Sequence, residues 1–322
     1  SAIIVAMLVD RGLLDYDTEV AYYWPEFAQN GKDGVTVRQL VSHQAGLPVL
    51  DEKFTIQDIR DEPDKVSRIL AQQKPLWEPG SAHGFHSISY GLYIDQLVRR
   101  VDPQHRDISQ FMQDEIAQPF GIDFYIGLPL EENFRCAHVY MPSMVDSLLS
   151  ADLGILLFMV DLVLNPANLL MKTATNPAGS MEYHFNNPFV RAIPCGSSRG
   201  FGTATALAKL YGIIANGGEH DRKRLLSAGA IQEMVTVATS GMDRVLPINS
   251  TYGAGMMLRD SPLGTVMFGT PGHGGQMGFG DLKYKIGWAY LTNHLRLAHV
   301  DPRYTRLERA IYQTLAEMEN NR

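Results

Sequence analysis

The sequence predicts an α+β fold, with a mostly helical region packed on an antiparallel sheet and a cleft between the layers. Two observations lead there. Between about residues 30 and 250 the apolar residues recur mainly at helical spacing. Beyond 250, "TYGAGMML", "GTVMFGTPG", "GQMGFGD" and "YKIGWAYLTN" alternate or run apolar, with Gly and Asp turns between them, which reads as a meander.

The chain opens on "SAIIVAMLVDRG", eight consecutive apolar residues from Ala2 to Val9 and then Gly12. A helix apolar all round is a buried one, and Gly12 suits the left-handed position after its last turn. A buried strand is the competing local reading, because Ile and Val favour strands. Buried helices rarely start at a terminus, since their first N–H groups need partners, so the chain is expected to begin inside an element. Residues 13–27 read as a turn and a surface stretch, and 35–48 as a short helix ended by Gly46 and Pro48. Helical spacing also covers 55–73, 89–101 and 107–119, whereas 120–150 reads as loop. Residues 166–203 are rich in Asn, Pro, Gly and Ser, and 202–218 is a helix with a Gly stop. The segment 301–319 closes the chain as an amphipathic helix with Pro302 in its first turn. No repeat divides the chain, so it is expected to form one domain over 1–322, in which 1–30 and 251–322 make the sheet-and-helix part.

Composition narrows the function classes. The chain has 322 residues, 45% hydrophobic and 20% charged, with net charge −7. That is an ordinary globular composition, and its basic residues form no stripe for nucleic acid. The most apolar run, 153–164, is too short to span a bilayer and contains Asp161. Cys136 and Cys195 are too few for a disulfide framework or a zinc site.

Five stretches carry a resemblance: "LVDRGLLDYDTEVAYYWPEF", "VTVRQLVSHQAGLP", "WEPGSAHGFHSISYG", "NGGEHDRKRLLS" and "FGTPGHGGQMGFGD". In this order they resemble the β-lactamase-related serine hydrolases, the group of class C β-lactamases, penicillin-binding proteins and esterases. The resemblance implies an antiparallel sheet flanked by helices plus a helical subdomain, with the family's first strands missing from this chain. It implies acyl transfer through a serine ester with no metal and no cofactor, on a small ester, amide or lactam-like molecule.

Three family motifs depart here. No lysine among the 322 residues has a serine three positions before it, so Ser-x-x-Lys, the family's nucleophile and its activating lysine, is absent. By spacing it would fall just before Ser1, and truncation is the simplest account. The position of the proton-transferring phenol, counted from Pro79-Gly80, falls on Phe85, with Ser87 at the Asn/Ser position. The third motif, whose cation steadies the proton relay, falls on Thr270-Pro271-Gly272, with the backbone N–H of His273 left for the oxyanion hole. A slip of three residues would instead make His273-Gly274-Gly275 the His-x-Gly box. Residues three apart on a strand face opposite sides, so one register alone can serve the cleft. Phe85, Ser87 and the strand Thr270–Gly275 are therefore expected to line the cleft.

Rival readings remain open. "PCGSSRG" holds Gly-x-Ser-x-Gly centred on Ser198, which on another fold would be a nucleophile elbow. Ser1 would serve as an N-terminal nucleophile if its own amine acted as base. His43, His83 and His86 read as polar wall or satisfied core, because no ligand spacing for a metal surrounds them. A catalytically inactive homologue acting as a binding or scaffold protein is the alternative to an enzyme. The last strand, within 284–293, is expected to present an open edge that invites self-association. The compartment stays open, cytoplasm and mitochondrion included.

Overall fold

The structure is a computed structural model, and it describes residues 1–143, 160, 164–165, 168–178, 185–246, 248–296 and 301–321. The apolar run 153–164 lies outside the described residues apart from its positions 160 and 164.

Helix α1 (Ala2–Asp10) settles the first ambiguity in favour of helix. Ala2 through Leu8 are all buried, and Gly12 follows with φ +71°. The next stretch corrects the sequence reading. Residues 13–27 form α2 (Val20–Tyr23) and a 3-10 turn, and Val20, Trp24 and Phe27 are fully buried rather than on the surface. The helix stops before Trp24, and the turn at Pro25 carries the Trp24 and Phe27 rings against Tyr93, at 6.3 and 5.9 Å. Helix α3 (Val37–Val41) starts at a capping box between Thr36 and Gln39. The 55–73 stretch divides at Pro63 into α4 (Asp58–Asp61) and α5 (Pro63–Gln72), since a proline suits a first turn but not a helix interior. Helix α6 (Ser89–Val101) matches its expected span. Helix α7 (Ile108–Met112) runs through a π-turn into α8 (Gln118–Phe120).

Part of the expected loop 120–150 is strand: β1 (Phe124–Ile126) pairs antiparallel with β2 (Gly200–Gly202). Between them lie α9 (Leu169–Thr175) and α10 (Pro188–Arg191). Helix α11 (Ala204–Ala215) has Thr203 as its N-cap and Gly217 and Gly218 beyond its end. A small hairpin, β3 (Glu219–His220) with β4 (Lys223–Arg224), leads to α12 (Ala228–Val235).

The rest is the meander: β5 (Thr239–Met242), β6 (Asn249–Tyr252), β7 (Met257–Asp260), β8 (Val266–Gly272), β9 (Gln276–Asp281) and β10 (Ile286–Tyr290). They form one antiparallel sheet in the order β10-β9-β8-β7-β6-β5. Helix α13 (Pro302–Asn320) closes the described chain. The sheet is covered on both faces, as the alternation of its side chains requires. Met267, Met277 and Phe279 join Tyr304 and Tyr312 of α13 in one core, while Phe268 joins the main core on the opposite face. There a Cβ at Gly287 of β10 would lie 2.1 Å from the Gly212 nitrogen of α11, so helix and strand meet backbone to backbone. Among the described residues no helix is long and apolar enough to cross a membrane.

Candidate active-site cleft

The turn that holds Phe85 is built jointly by two stretches distant in sequence. Gly80 N–H donates to Gln44 O at 3.0 Å, Leu76 N–H to Gly46 O at 2.7 Å, and Gly84 N–H to His43 O at 3.0 Å. Leu47 N–H donates to His86 Nε2 at 2.9 Å, and Ser89 Oγ to Leu47 O at 2.7 Å. "SHQAGLP" is thus the backing of "WEPGSAHGFHSISYG". Gly46 has φ +74°, and a Cβ there would come within 2.7 Å of Trp77 O, so glycine is required for this approach.

The third support is Asp243, in the loop after β5, which is 4% exposed. Its Oδ1 accepts from Phe85 N–H at 3.0 Å and from the N–H groups of Val245 and Leu246, each at 2.8 Å. Its Oδ2 accepts from Ser250 Oγ at 3.1 Å and Tyr252 OH at 3.3 Å. Since Ser250 gives its proton to Asp243, it accepts from His83 Nε2 at 3.0 Å, and His83 Nδ1 accepts from Thr239 Oγ1 at 2.9 Å. Between residues 80–83 and 239–244 runs a groove of about 450 Å³.

Both ring nitrogens of His83 and His86, and Nδ1 of His43, are engaged in hydrogen bonds. His86 Nδ1 donates to Gly84 O at 2.6 Å while Nε2 accepts, which fixes a neutral ring. His43 Nδ1 accepts from His86 N–H at 3.2 Å, and its backbone sits at φ +65°. A non-glycine residue persists there where its surroundings over-determine it. Burial pushes His86 down to about 4, and burial first, then the neighbouring His86 and His83, pushes His43 well below the usual imidazole value. A base depressed in the fold must take up a proton on unfolding in acid. Stability is therefore full above about pH 6.5 and is lost as pH falls from there towards 4. His86 alone accounts for about 3 kcal/mol over that window. Denaturant unfolding at pH 7, 6, 5 and 4 checks this; a flat profile would contradict neutral buried rings.

The predicted site residues fall in two separate places. Phe85 and Ser87 are half-buried in the turn before α6, and the Phe85 ring is centred 5.3 Å from the His43 ring. Thr270 is exposed on β8, and with Gly269 and Pro271 it borders a small cavity of about 10 Å³ beside Met257, Met267 and Phe279. The groove at 80–83 and this cavity have no lining residue in common.

One expectation is corrected. The segment Thr270–Gly275 is not one strand: β8 ends at Gly272, which pairs with Gln276, and His273, Gly274 and Gly275 form the hairpin loop. Gly274 and Gly275 have φ +77° and +101°, which strand geometry forbids and a tight turn needs. Thr270-Pro271-Gly272 is therefore the strand-borne set, and the His273 ring is placed by the loop rather than by strand alternation. Ser198 lies in a turn before β2, its Oγ 3.4 Å from Cys195 Sγ, where an elbow would offer a histidine. Ser1 Oγ donates to Gly196 O at 2.9 Å.

Sequence reasoning missed Asp243, Tyr252 and Tyr90. The Tyr252 and Tyr90 rings flank His43 at 4.7 and 4.9 Å. The Tyr90 hydroxyl is buried without a hydrogen-bond partner, and a Cβ at Gly255 would lie 2.8 Å from it and 2.7 Å from Ala2.

An antiparallel sheet clad by helices, a Phe85 turn clamped from two sides and a Gly-rich hairpin define a scaffold of the serine-hydrolase type. The Beta-lactamase family model matches residues 1–313, and the chain belongs to that family. It is 32% identical over 310 residues to Esterase/beta-lactamase LipL of Mycobacterium tuberculosis, covering 92% of this chain and 67% of that relative. A family VIII carboxylesterase structure is 34% identical with a TM-score of 0.83, covering 97% of this chain and 80% of the other. A penicillin-binding protein homologue from Caulobacter crescentus is also 34% identical, with a TM-score of 0.80 over the same shares.

Proposed function

We propose that this chain carries the ligand cleft of an esterase-type hydrolase, and that these 322 residues bind an ester, amide or lactam-like molecule without turning it over. The carrying observation is Phe85. Its turn is held by Asp243, His43 and His86, yet the ring at the phenol position has no oxygen to move a proton. The same deficit recurs at Thr270, which has no cation, and in the want of Ser-x-x-Lys anywhere in the sequence. Similarity to an esterase/β-lactamase and a carboxylesterase supports the substrate class. With the nucleophile gone, what remains is the binding and oxyanion contribution, on the order of 10³–10⁴ over water in a well-studied serine protease. The chain should hydrolyse p-nitrophenyl butyrate and a chromogenic lactam at no more than that residual rate. Turnover faster than about once per second, the lower end of the ordinary enzyme range, would refute the reading.

The edge of β10 adds an interaction surface. Among the described residues β10 pairs with β9 alone, and its five positions are half-buried. Such an edge offers a row of backbone groups to another chain. The chain should show concentration-dependent dimers by light scattering, and a monomer throughout would remove this surface.

A further inference from the structure

The fold supplies acceptors to its other deeply buried cations. Lys32, fully buried, donates to the carbonyls of Gln29, Ala71 and Gln73 at 2.7–2.8 Å. Arg191, 4% exposed, gives Nε to Phe185 O at 2.7 Å, Nη1 to Asn133 Oδ1 at 2.8 Å and Nη2 to Asn186 Oδ1 at 3.0 Å. Arg199, 1% exposed, is the exception. Its Nη1 reaches Ser198 O at 3.2 Å, while Nε and Nη2 are buried with no hydrogen-bond partner. No carboxylate among the described residues forms an ion pair with it. Leaving a buried guanidinium with two idle donors costs several kcal/mol, which a site built for an anion recovers when the anion arrives.

Contacts link the Arg199 loop to the Phe85 turn and to the β8–β9 hairpin. The loop, residues 195–199, closes on the N-terminal ends of two helices: Gly196 O accepts from Ser1 Oγ, and Ser197 Oγ accepts from Gly91 N–H at 2.6 Å at the start of α6. Gly91 follows Tyr90, whose ring lies 4.9 Å from that of His43, and His43 lies 5.3 Å from the Phe85 ring. The guanidinium lies 5.5 Å from the centre of the Phe185 ring, and Phe185 lies 6.2 Å from the ring of His273 in the β8–β9 hairpin. The two idle nitrogens have the planar fork geometry that takes both oxygens of a carboxylate.

We propose that Arg199 is the anchor for a free carboxylate on the cleft's ligand, so that the substrate class is an ester or amide bearing a second, ionised carboxyl group. The ester or amide part of this description rests on the hydrolase reading; the carboxylate part rests on Arg199 alone.

The test is binding, measured by calorimetry and thermal shift on the 322-residue chain, with glutarate, neutral glutaramide and inorganic phosphate as probes. Glutarate should bind and raise the melting temperature, glutaramide should not, and Arg199→Met should weaken glutarate at least about tenfold, the worth of one charged hydrogen bond. Without ligand, Arg199→Met should melt at or above the parent temperature, because an apolar side chain replaces an unpaired buried charge. A drop of several degrees in the unliganded variant would mean that the chain itself satisfies the guanidinium, and would overturn the proposal. So would equal binding of glutarate and glutaramide. Phosphate binding as tight as glutarate and equally dependent on Arg199 would make the site one for a free inorganic anion, and would also overturn it. Because none of these readouts needs turnover, a chain that hydrolyses nothing can still pass, and an active esterase can still fail.

Discussion

Asp243→Ala should lower the unfolding free energy by about 3–5 kcal/mol, the largest loss expected from one side chain at the cleft. The carboxylate is 4% exposed and accepts three backbone N–H groups on Oδ1 and two hydroxyls on Oδ2. Truncation leaves the N–H groups of Phe85, Val245 and Leu246 without their acceptor. Each buried orphan donor costs roughly 1–3 kcal/mol, and water entering from the adjacent groove offsets part of the sum. Asp243→Asn should cost less, about 1–2 kcal/mol, because its Oδ1 still accepts and the Ser250 and Tyr252 hydroxyls can turn to meet its amide. Urea unfolding of both variants distinguishes them. A loss below about 1 kcal/mol for alanine, or equal losses, would mean that Asp243 does not hold the Phe85 turn.

Phe85→Tyr should raise esterase turnover on the order of 10²-fold in a chain lengthened before Ser1 so that its first helix carries Ser-x-x-Lys. The backbone of residue 85 is already fixed, through Asp243 on one side and His86 on the other. The substitution therefore adds a phenol oxygen to a placed ring, and positioned general acid–base groups contribute 10²–10⁴-fold. The ring is half-buried, so the hydroxyl need not be forced into a closed core. The comparison is the turnover of p-nitrophenyl butyrate by the lengthened chain with Phe85 kept and by the same chain carrying Phe85→Tyr. Equal rates would make Phe85 a wall residue and send the proton by another route.

Strong periodicity made much of this fold legible. Helices α6, α11 and α13 and the meander from β6 to β10 follow patterns that one segment contains in full, whereas β5 (Thr239–Met242) lies before residue 250, in the stretch read as mostly helical. What escaped depended on partners far away. Strands β1 and β2 have three residues each and pair Phe124 with Gly202, so neither shows an alternation of its own. Trp24 and Phe27 were hidden because Pro25 breaks the helix that would have displayed their spacing. The departures at Phe85 and Thr270 were visible as residue identities, whereas what holds Phe85 was not. Asp243 is a single carboxylate in a loop, and its partners run from Phe85 to Tyr252. His273 left the strand because two glycines after it demand a turn. Arg199 is conspicuous only once its idle donors are seen against the satisfied nitrogens of Lys32 and Arg191.

The central claim is that these 322 residues carry the cleft of a serine hydrolase without its serine nucleophile. Fluorophosphonate labelling followed by peptide mapping tests it most directly. The account predicts no covalent adduct on any serine, with native folding verified on the same sample. A stoichiometric adduct on Ser198, or on any other serine of the chain, would contradict it.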